Sequence, residues 1–458
     1  MLTETLNFVR IYIGLLDKSL RTINGHLSQS QRIWLGFCLT AIILTNSVCW
    51  KAWERWSGGK YTDSALSWML RHSSTPWNLL LTASVRLILN QYSIKRGVLV
   101  IDDSDHKRSK NTTKIGYVHR IKDKKNDGYY NGQNLVFLIL VTDTLTLPVG
   151  FAFYEPDSVY KKWEKENKKL KAEGIKKKHR PPKPEKNHKY PTKLEIALKL
   201  LVEFFQANHE IQIKCILADA FYGSSEFIEK ASKLHKGIQV ISQIRSNQLV
   251  RNKRGLLVEV KDYFKEQKSI KKKVYIRGGT QKTIFFCPQK LYVDIQEKKR
   301  TIIAVKYADE KEYRYIIATD MTWQDLDIIQ VYTLRWLIEV FFEDWKAYEG
   351  WANLAKQQGV EGSSKCVILS LLLDHSLFFH EAQQPCIENK LPLSTIGSLI
   401  EDSRLQIITN KMSSILESDH PQKEFKNFYE DMRLMMPRRK SEKHMCHRGF
   451  RNVFLEAA

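Results

Sequence analysis

Two short apolar runs, each ending in a carboxylate, constrain this chain most. Arg96–Ser104 reads RGVLVIDDS, a continuous stretch of β-branched residues and Leu closed by Asp102 and Asp103. Ile211–Ser224 reads IQIKCILADAFYGS, a second strand-like run that ends in Asp219 just before a Gly/Ser turn. Runs of this kind, separated by helix-period segments, read as strands of a mostly buried sheet. An open α/β sheet places its chemistry at strand ends, where both runs carry their acids. A single Asp after a strand is more often a turn-former or helix cap. Two such ends in one chain ask for a third partner.

Val331–Tyr348, VYTLRWLIEVFFEDWKAY, supplies one. Tyr332, Arg335, Glu339 and Lys346 follow the spacing Y-x2-R-x3-E-x6-K. At ~100° per residue, a continuous α-helix brings all four within an arc of about 60°. The other face carries Leu334, Leu337, Ile338, Phe341 and Trp345, a stripe able to dock on a core. A carboxylate able to hold a metal, bracketed by cations able to hold phosphates, suits phosphodiester chemistry. The plain alternative is an amphipathic helix with solvated charges.

With these three segments in view, the chain resembles the DDE transposases of bacterial insertion sequences, in the group founded by insertion sequence 4. That group marks its third acid with the same Tyr, Arg, Glu, Lys signature, matched here at all four positions. VLVIDDSD and LADAFYGS resemble the segments that hold its first two acids, and ISQIRSN (Ile241–Asn247) resembles the strand after the second. The resemblance is specific over about residues 98–346 and general outside them. It implies a ribonuclease-H-like core of the α/β class, with a mixed sheet, helices and a β-rich insertion between the second and third acids. It also implies metal-dependent cleavage and strand transfer of DNA. One of Asp102 and Asp103, with Asp219 and Glu339, would hold two Mg²⁺ ions, for which Mn²⁺ could substitute; hard oxygen ligands suit both metals. Tyr332, Arg335 and Lys346 would hold phosphates of double-stranded DNA at the element's ends. A homodimer on DNA is expected, in a bacterial cytoplasm at the nucleoid.

The first acid is ambiguous, because neighbouring strand residues point to opposite faces. Asp102 is the preferred choice and Asp103 the alternative. Arg245, at the end of the next strand, is a candidate DNA contact or a surface ion pair.

The coarse pattern agrees with such a core. Strands are expected at 98–102, 135–143 and 145–155 as an antiparallel meander. A helix at 193–208 leads to the strand ending at Asp219, followed by a helix at 224–235 and a strand at 238–244. Residues 250–320 alternate Tyr, Val, Ile and Phe, which reads as β structure. The expected division is a helical, DNA-binding region at 1–95, a catalytic core at 96–249 and 321–350, the β insertion at 250–320 and a helical region at 351–458. The segments TDSALSWML (62–70) and PWNLLLTASVRLILN (76–90) could house a helix-turn-helix or a plain bundle.

A formal charge of +23 over 458 residues argues for a polyanionic partner. Much of the excess sits in Ser158–Thr192, which has thirteen Lys or Arg against four Glu and a PPKP run. This segment reads as a mobile solvated excursion, compatible with DNA backbone contact. A second basic cluster is Arg438–Lys440. Seven cysteines without a C-x2-C pair suggest reduced thiols in a cytoplasm. HMCH at 444–447 and His375/His380 lack a matched second half for a structural zinc site. Ile33–Trp50 has the length of a membrane span, but Thr40, Thr45, Asn46 and Ser47 interrupt it. A buried helix is the better reading, with no membrane partner and no signal peptide.

Three functions fit: a cut-and-paste transposase, a transposase-derived DNA-binding protein without cleavage, or a metal-dependent nuclease on the same fold. Fold alone does not separate them.

Overall fold

A computed structural model describes residues 4–108, 114–123, 126, 128–276, 279–351 and 357–435. Arg438–Lys440 and the HMCH run at 444–447 lie outside the described residues. The fold is mixed α/β, built on one open mixed sheet.

Its centre is β1 (Arg96–Lys107), paired antiparallel with β3 (Gly128–Val141). A short β2 (His119–Asp123), not expected from the sequence, pairs with the start of β3, and β4 (Thr146–Tyr154) pairs antiparallel with β3. On the other side of β1, β5 (Gln212–Ala218) and then β6 (Gln239–Gln243) run parallel to it. The local order is therefore β4-β3-β1-β5-β6. Leu135–Leu140 of β3 is wholly buried, and a strand apolar at every position must be covered on both faces. α7 (Lys193–Ala207) covers one face, where Leu200 lies against Gly150 and Leu138. An aromatic group from the segment after residue 335 covers the other through Phe137.

The β-rich stretch at 250–320 continues the same sheet. β12 (Arg314–Ala318) pairs antiparallel with β6, and β11 (Lys298–Tyr307) and β10 (Thr280–Val293) follow. β7 (Leu249–Arg251), β8 (Leu257–Glu259) and β9 (Ile270–Ile276) complete its outer edge.

Helices α1 (Asn7–Arg21), α2 (Gln29–Thr45), α3 (Trp50–Trp56), α4 (Asp63–His72) and α5 (Trp77–Gln91) precede the sheet. Their core is shared with α12 (Gly359–Leu377), whose apolar residues are nearly all buried. Tyr12 Oη lies 2.6 Å from Ser84 Oγ, which lies 2.6 Å from His375 Nδ1, tying α1, α5 and α12 together. His375 also meets the Pro148 carbonyl of β4 at 2.9 Å. Ile33–Thr45 falls in α2, which starts at a Ser28/Gln31 capping box and stops at Asn46 in the left-handed region. Among the described residues no single helix is long and apolar enough to cross a membrane, although α2 and α3, bent by 92°, pass by length and composition together.

Two expectations need correction. Ser158–Thr192, expected as a mobile solvated excursion, contains helix α6 (Ser158–Ala172), although that helix buries none of its residues. Val331–Tyr348 is not one continuous helix. α10 (Asp325–Thr333) and α11 (Trp336–Tyr348) meet at a break where Leu334, Arg335, Leu337 and Ile338 donate to carbonyls three residues back. Such tight turns advance about 120° per residue instead of ~100°, so the single arc drawn from sequence does not apply across residue 335. α8 (Ser225–Leu234) and the short α9 (Val260–Lys265) lie between the strands, and α13 (Gln384–Glu388), α14 (Ile396–Leu416) and α15 (Pro421–Met435) end the described chain.

Candidate functional site

Strand alternation decides where each acid of β1 points. Asp102 is opposite Phe137, so it shares the face covered by α11; Asp103 is opposite Val136 and shares the face covered by α7. The hydrogen bonds follow suit. Asp102, nearly buried, accepts from Arg335 Nη1 at 2.9 Å. Asp103 accepts from Lys193 Nζ at 2.6 Å and from Asn134 Nδ2 at 3.0 Å.

Asp219 follows β5 directly, and β5 aligns Ala218 with Ile101, so Asp219 emerges beside Asp102. One of its oxygens caps the next turn, accepting from Phe221 N at 2.9 Å and Tyr222 N at 3.4 Å. Ser242 Oγ donates to its carbonyl at 2.7 Å, pinning that turn to β6. Gly223 is needed there, because a Cβ would run into the Gln243 carbonyl.

Glu339 stands on the first turn of α11, and Arg335, at the helix entry, reaches it with Nη2 at 3.1 Å. One guanidinium therefore spans Asp102 and Glu339. Lys346, two turns along, donates to the Asp105 carbonyl at 2.9 Å. Asp102, Asp103, Asp219, Arg335, Glu339 and Lys346 line one cavity of about 490 Å³, with Glu343 and Gln243 on its wall.

Tyr332 and Arg245 are placed differently. Tyr332 is buried, and its hydroxyl points at the Ala218 carbonyl at 3.5 Å. Arg245 lines an adjoining cavity that shares only Ala220 and Gln243 with the first. The structure does not bring Arg245 to the acids.

Burial and the neighbouring Asp219 charge push Asp102 up to about 7, against the pull of Arg335. Asp219 is raised by burial and by Asp103. Burial lowers Lys346 and pushes Tyr332 up to about 12. These acids are crowded together in a poorly solvated pocket, which disfavours their shared negative charge. Such crowding is what a cation relieves.

The donor set is hard oxygen, suited to Mg²⁺ or Mn²⁺ in kind. Among the described residues, however, no three His, Cys, Asp or Glu groups stand close enough to share an ion. Arg335 instead holds an oxygen of Asp102 and one of Glu339. The residues fit a divalent cation by chemistry, and Arg335 is the group with which it would compete.

A second, smaller cavity of about 60 Å³ adjoins the first at Gln243 and Arg335; Lys306, Tyr307, Arg314 and Trp336 line it together with Ile284, Val305, Ile316 and Ile329. Lys282 and Arg314 lie 5.3 and 5.2 Å from the Tyr307 ring centre. Sequence reading missed this interleaving of cations and aromatics, as it missed Lys193.

Among known families, the chain matches the one described as DDE superfamily endonuclease over residues 59–276. The matched stretch holds Asp102, Asp103 and Asp219 and stops before Glu339. It supports a DDE-type nuclease or transposase family. Comparison with curated proteins finds no match. Among solved structures, the NurA nuclease from Sulfolobus solfataricus is similar at 7% identity and a TM-score of 0.24, covering 71% of this chain and 96% of that one. So loose a superposition carries no argument about fold or function.

Proposed function

We propose that this chain is a metal-dependent DNA strand-cleaving enzyme of the DDE type, and specifically a transposase that cuts at the ends of its element and joins them to a target. The observation that carries this reading is the convergence of Asp102, Asp219 and Glu339, from three separate elements, on one polar cavity edged by Arg335 and Lys346. The order β4-β3-β1-β5-β6, with β1, β5 and β6 parallel, supports a ribonuclease-H-like core.

In this reading Asp102, Asp219 and Glu339 would hold the cation, proposed as two Mg²⁺ ions replaceable by Mn²⁺, once Arg335 releases their oxygens; when bound it would activate water and stabilise the departing 3′-oxygen. Asp103 acts indirectly, fixing this stretch of β1 through Lys193 and Asn134. Arg335 has five donors in a planar fork. It neutralises the acids at rest and offers the same donors to a phosphate. Lys346 places a point charge beside Asp105, at the edge where a backbone would pass. Tyr332 sets the start of this segment against β5. Lys306 and Arg314, at the adjoining cavity, are proposed to add backbone contacts beside the acids. Residues 1–95 are proposed to contribute end binding, and a homodimer to hold two ends together, in a bacterial cytoplasm.

The test is cleavage of a plasmid carrying the gene with its native flanks, comparing wild type with Glu339→Gln, in Mg²⁺ and in EDTA. The expected result is release of a defined fragment, and its joining to target DNA, by wild type with metal only, with a loss of at least about 10³-fold in the variant. Equal cleavage by Glu339→Gln would sink the assignment; loss with Glu343→Ala alone would move the third acid to residue 343. Cleavage without joining would favour a nuclease.

A further inference from the structure

We propose that α6 and the segment returning from it to Thr192 form a clamp for the backbone of duplex DNA beside the acid cavity, gripping phosphates without reading bases. This rests on the DNA-cleaving reading of that cavity.

α6 buries none of its residues. Helices are ordinarily held in proteins by packing an apolar face, and propensity alone is a weak substitute. This one is held by its own return segment. Trp163 Nε1 donates to the Pro181 carbonyl at 2.9 Å, Arg180 Nη1 donates to Asn167 at 3.2 Å, and Lys183 Nζ sits 5.6 Å from the Tyr160 ring centre. The result is a folded unit whose ordering adds nothing to the main core.

Its other side is a cationic rail. At ~100° per residue, Lys161, Lys162, Lys165, Lys168 and Lys169 fall within an arc of about 120°. Glu164 offsets only Lys161 and Lys168, at 3.5 and 3.2 Å, and Glu173 reaches Lys169 at 3.8 Å. Lys162 and Lys165 have no ion-pair partner among the described residues. Like charges this dense repel one another without a polyanion. The helix is about 22 Å long, the axial length of about six base pairs.

The rail is also well placed. Glu164 of α6 and Asp103 of the cavity both bear on the Tyr154 hydroxyl. Lys161 and Lys193 both bear on His119, whose ring meets that of Tyr154 edge-on at 5.9 Å. Lys193 lies 5.4 Å from the Tyr154 ring centre and 2.6 Å from Asp103. The first turns of α6 thus lie in the same charged neighbourhood as Tyr154, Lys193 and Asp103, at the margin of the cavity. A duplex with its scissile bond in the cavity would lay its flank on the rail.

The experiment measures the full chain binding mixed-sequence DNA duplexes over a KCl series. It compares wild type, a variant with Lys161→Gln, Lys162→Gln, Lys165→Gln and Lys168→Gln, and the matching Lys→Arg set. Each phosphate that the protein ceases to neutralise flattens the plot of log K against log salt by about 0.9. The Gln set is expected to flatten it by at least about 2, equally for every sequence, with unchanged circular dichroism, and the Arg set to restore it. An unchanged slope, or a flattening that Arg does not restore, overturns the clamp. Metal-dependent cleavage by wild type, scored separately, keeps the two readings apart. Cleavage with an unchanged slope removes only the clamp, and a flattened slope without cleavage removes only the cavity reading. No binding by wild type at any salt removes both.

Discussion

At the scale of single residues, the decisive fact is which way two adjacent acids face. Asp102 meets Arg335, and Asp103 meets Lys193. The variants Asp102→Asn and Asp103→Asn should therefore behave differently. Asp102→Asn is expected to abolish metal-dependent cleavage at little cost in stability, because burial already disfavours its charge. Asp103→Asn should retain measurable cleavage but lower stability by about 1–3 kcal/mol, since it leaves the mostly buried Lys193 without its counter-ion. Denaturant melts and cleavage rates on both proteins check this; a dead but fully stable Asp103→Asn would exchange the two roles. The sequence shows an acid pair closing the apolar run of β1, though the strand itself continues to Lys107, but it does not show the pair's parity. Parity is fixed by register with β3, and β1 shifts register against β5 between Gly97 and Leu99. The role of Lys193 is illegible for a similar reason. Its helix start, with the Thr192/Glu195 capping box, is a local signal, whereas its meeting with Asp103 joins residues 90 apart in the chain.

At the scale of elements, the strands and most helices are readable because each carries its own period. α7, α8, β5 and β6 lie within a residue or two of where the pattern places them. The two misreadings have physical causes. The segment after residue 331 keeps a helical period throughout, yet Tyr332 is drawn toward the Ala218 carbonyl while Arg335 must face Asp102, and a tight turn meets both demands. In α6 the density of lysines suggests disorder, but Lys is a good helix former, Asp157 caps the first turn, and Glu164 pairs along the helix. What seats α11 is aromatic packing. Phe137 lies 5.5 Å from Phe341, 5.5 Å from Phe342 and 4.9 Å from Trp345, between ring centres. Phe137→Ala should cost about 3–5 kcal/mol and, in the folded fraction, slow cleavage by loosening Glu339. Urea melts together with rates normalised to folded protein test it; a stability loss with unchanged normalised rate would show that α11 is seated by other contacts.

Over the whole molecule, a buried acid pair beneath the site gives stability a pH dependence. Glu349, which ends α11, and Asp374 of α12 are both buried, and neither Glu349 oxygen has a hydrogen-bond partner apart from that shared pair. Burial, then the facing Asp374, raises Glu349; burial raises Asp374, with Asp344 adding to both. Tyr12 of α1 bears on Asp374, and Asp344 of α11 bears on both acids. A carboxyl raised in the folded state keeps its proton after the unfolded chain has lost it. Stability from this pair is therefore full below the ordinary carboxylate range, about pH 4, and falls as pH rises toward the raised values. Asp374→Asn removes one of the charges. It should raise Tm at pH 8 by a few degrees, on the order of 1 kcal/mol, and flatten Tm between pH 4 and 8. An equal pH slope in the variant would show that the pair does not govern it. The continuous sheet has a different consequence. The strands that carry Asp102 and lead to Asp219 share one sheet with those that carry Lys306 and Arg314, from β1 through β5, β6, β12 and β11 to β10. Their amides are expected to exchange with solvent as a single slow class, opening when the ladder does. Any yielding to an incoming duplex then falls to what lies on the sheet, the α10–α11 joint that carries Arg335 and Glu339 and the α6 arm, while Asp102 and Asp219 on their neighbouring strands keep their spacing like the marks on a ruler.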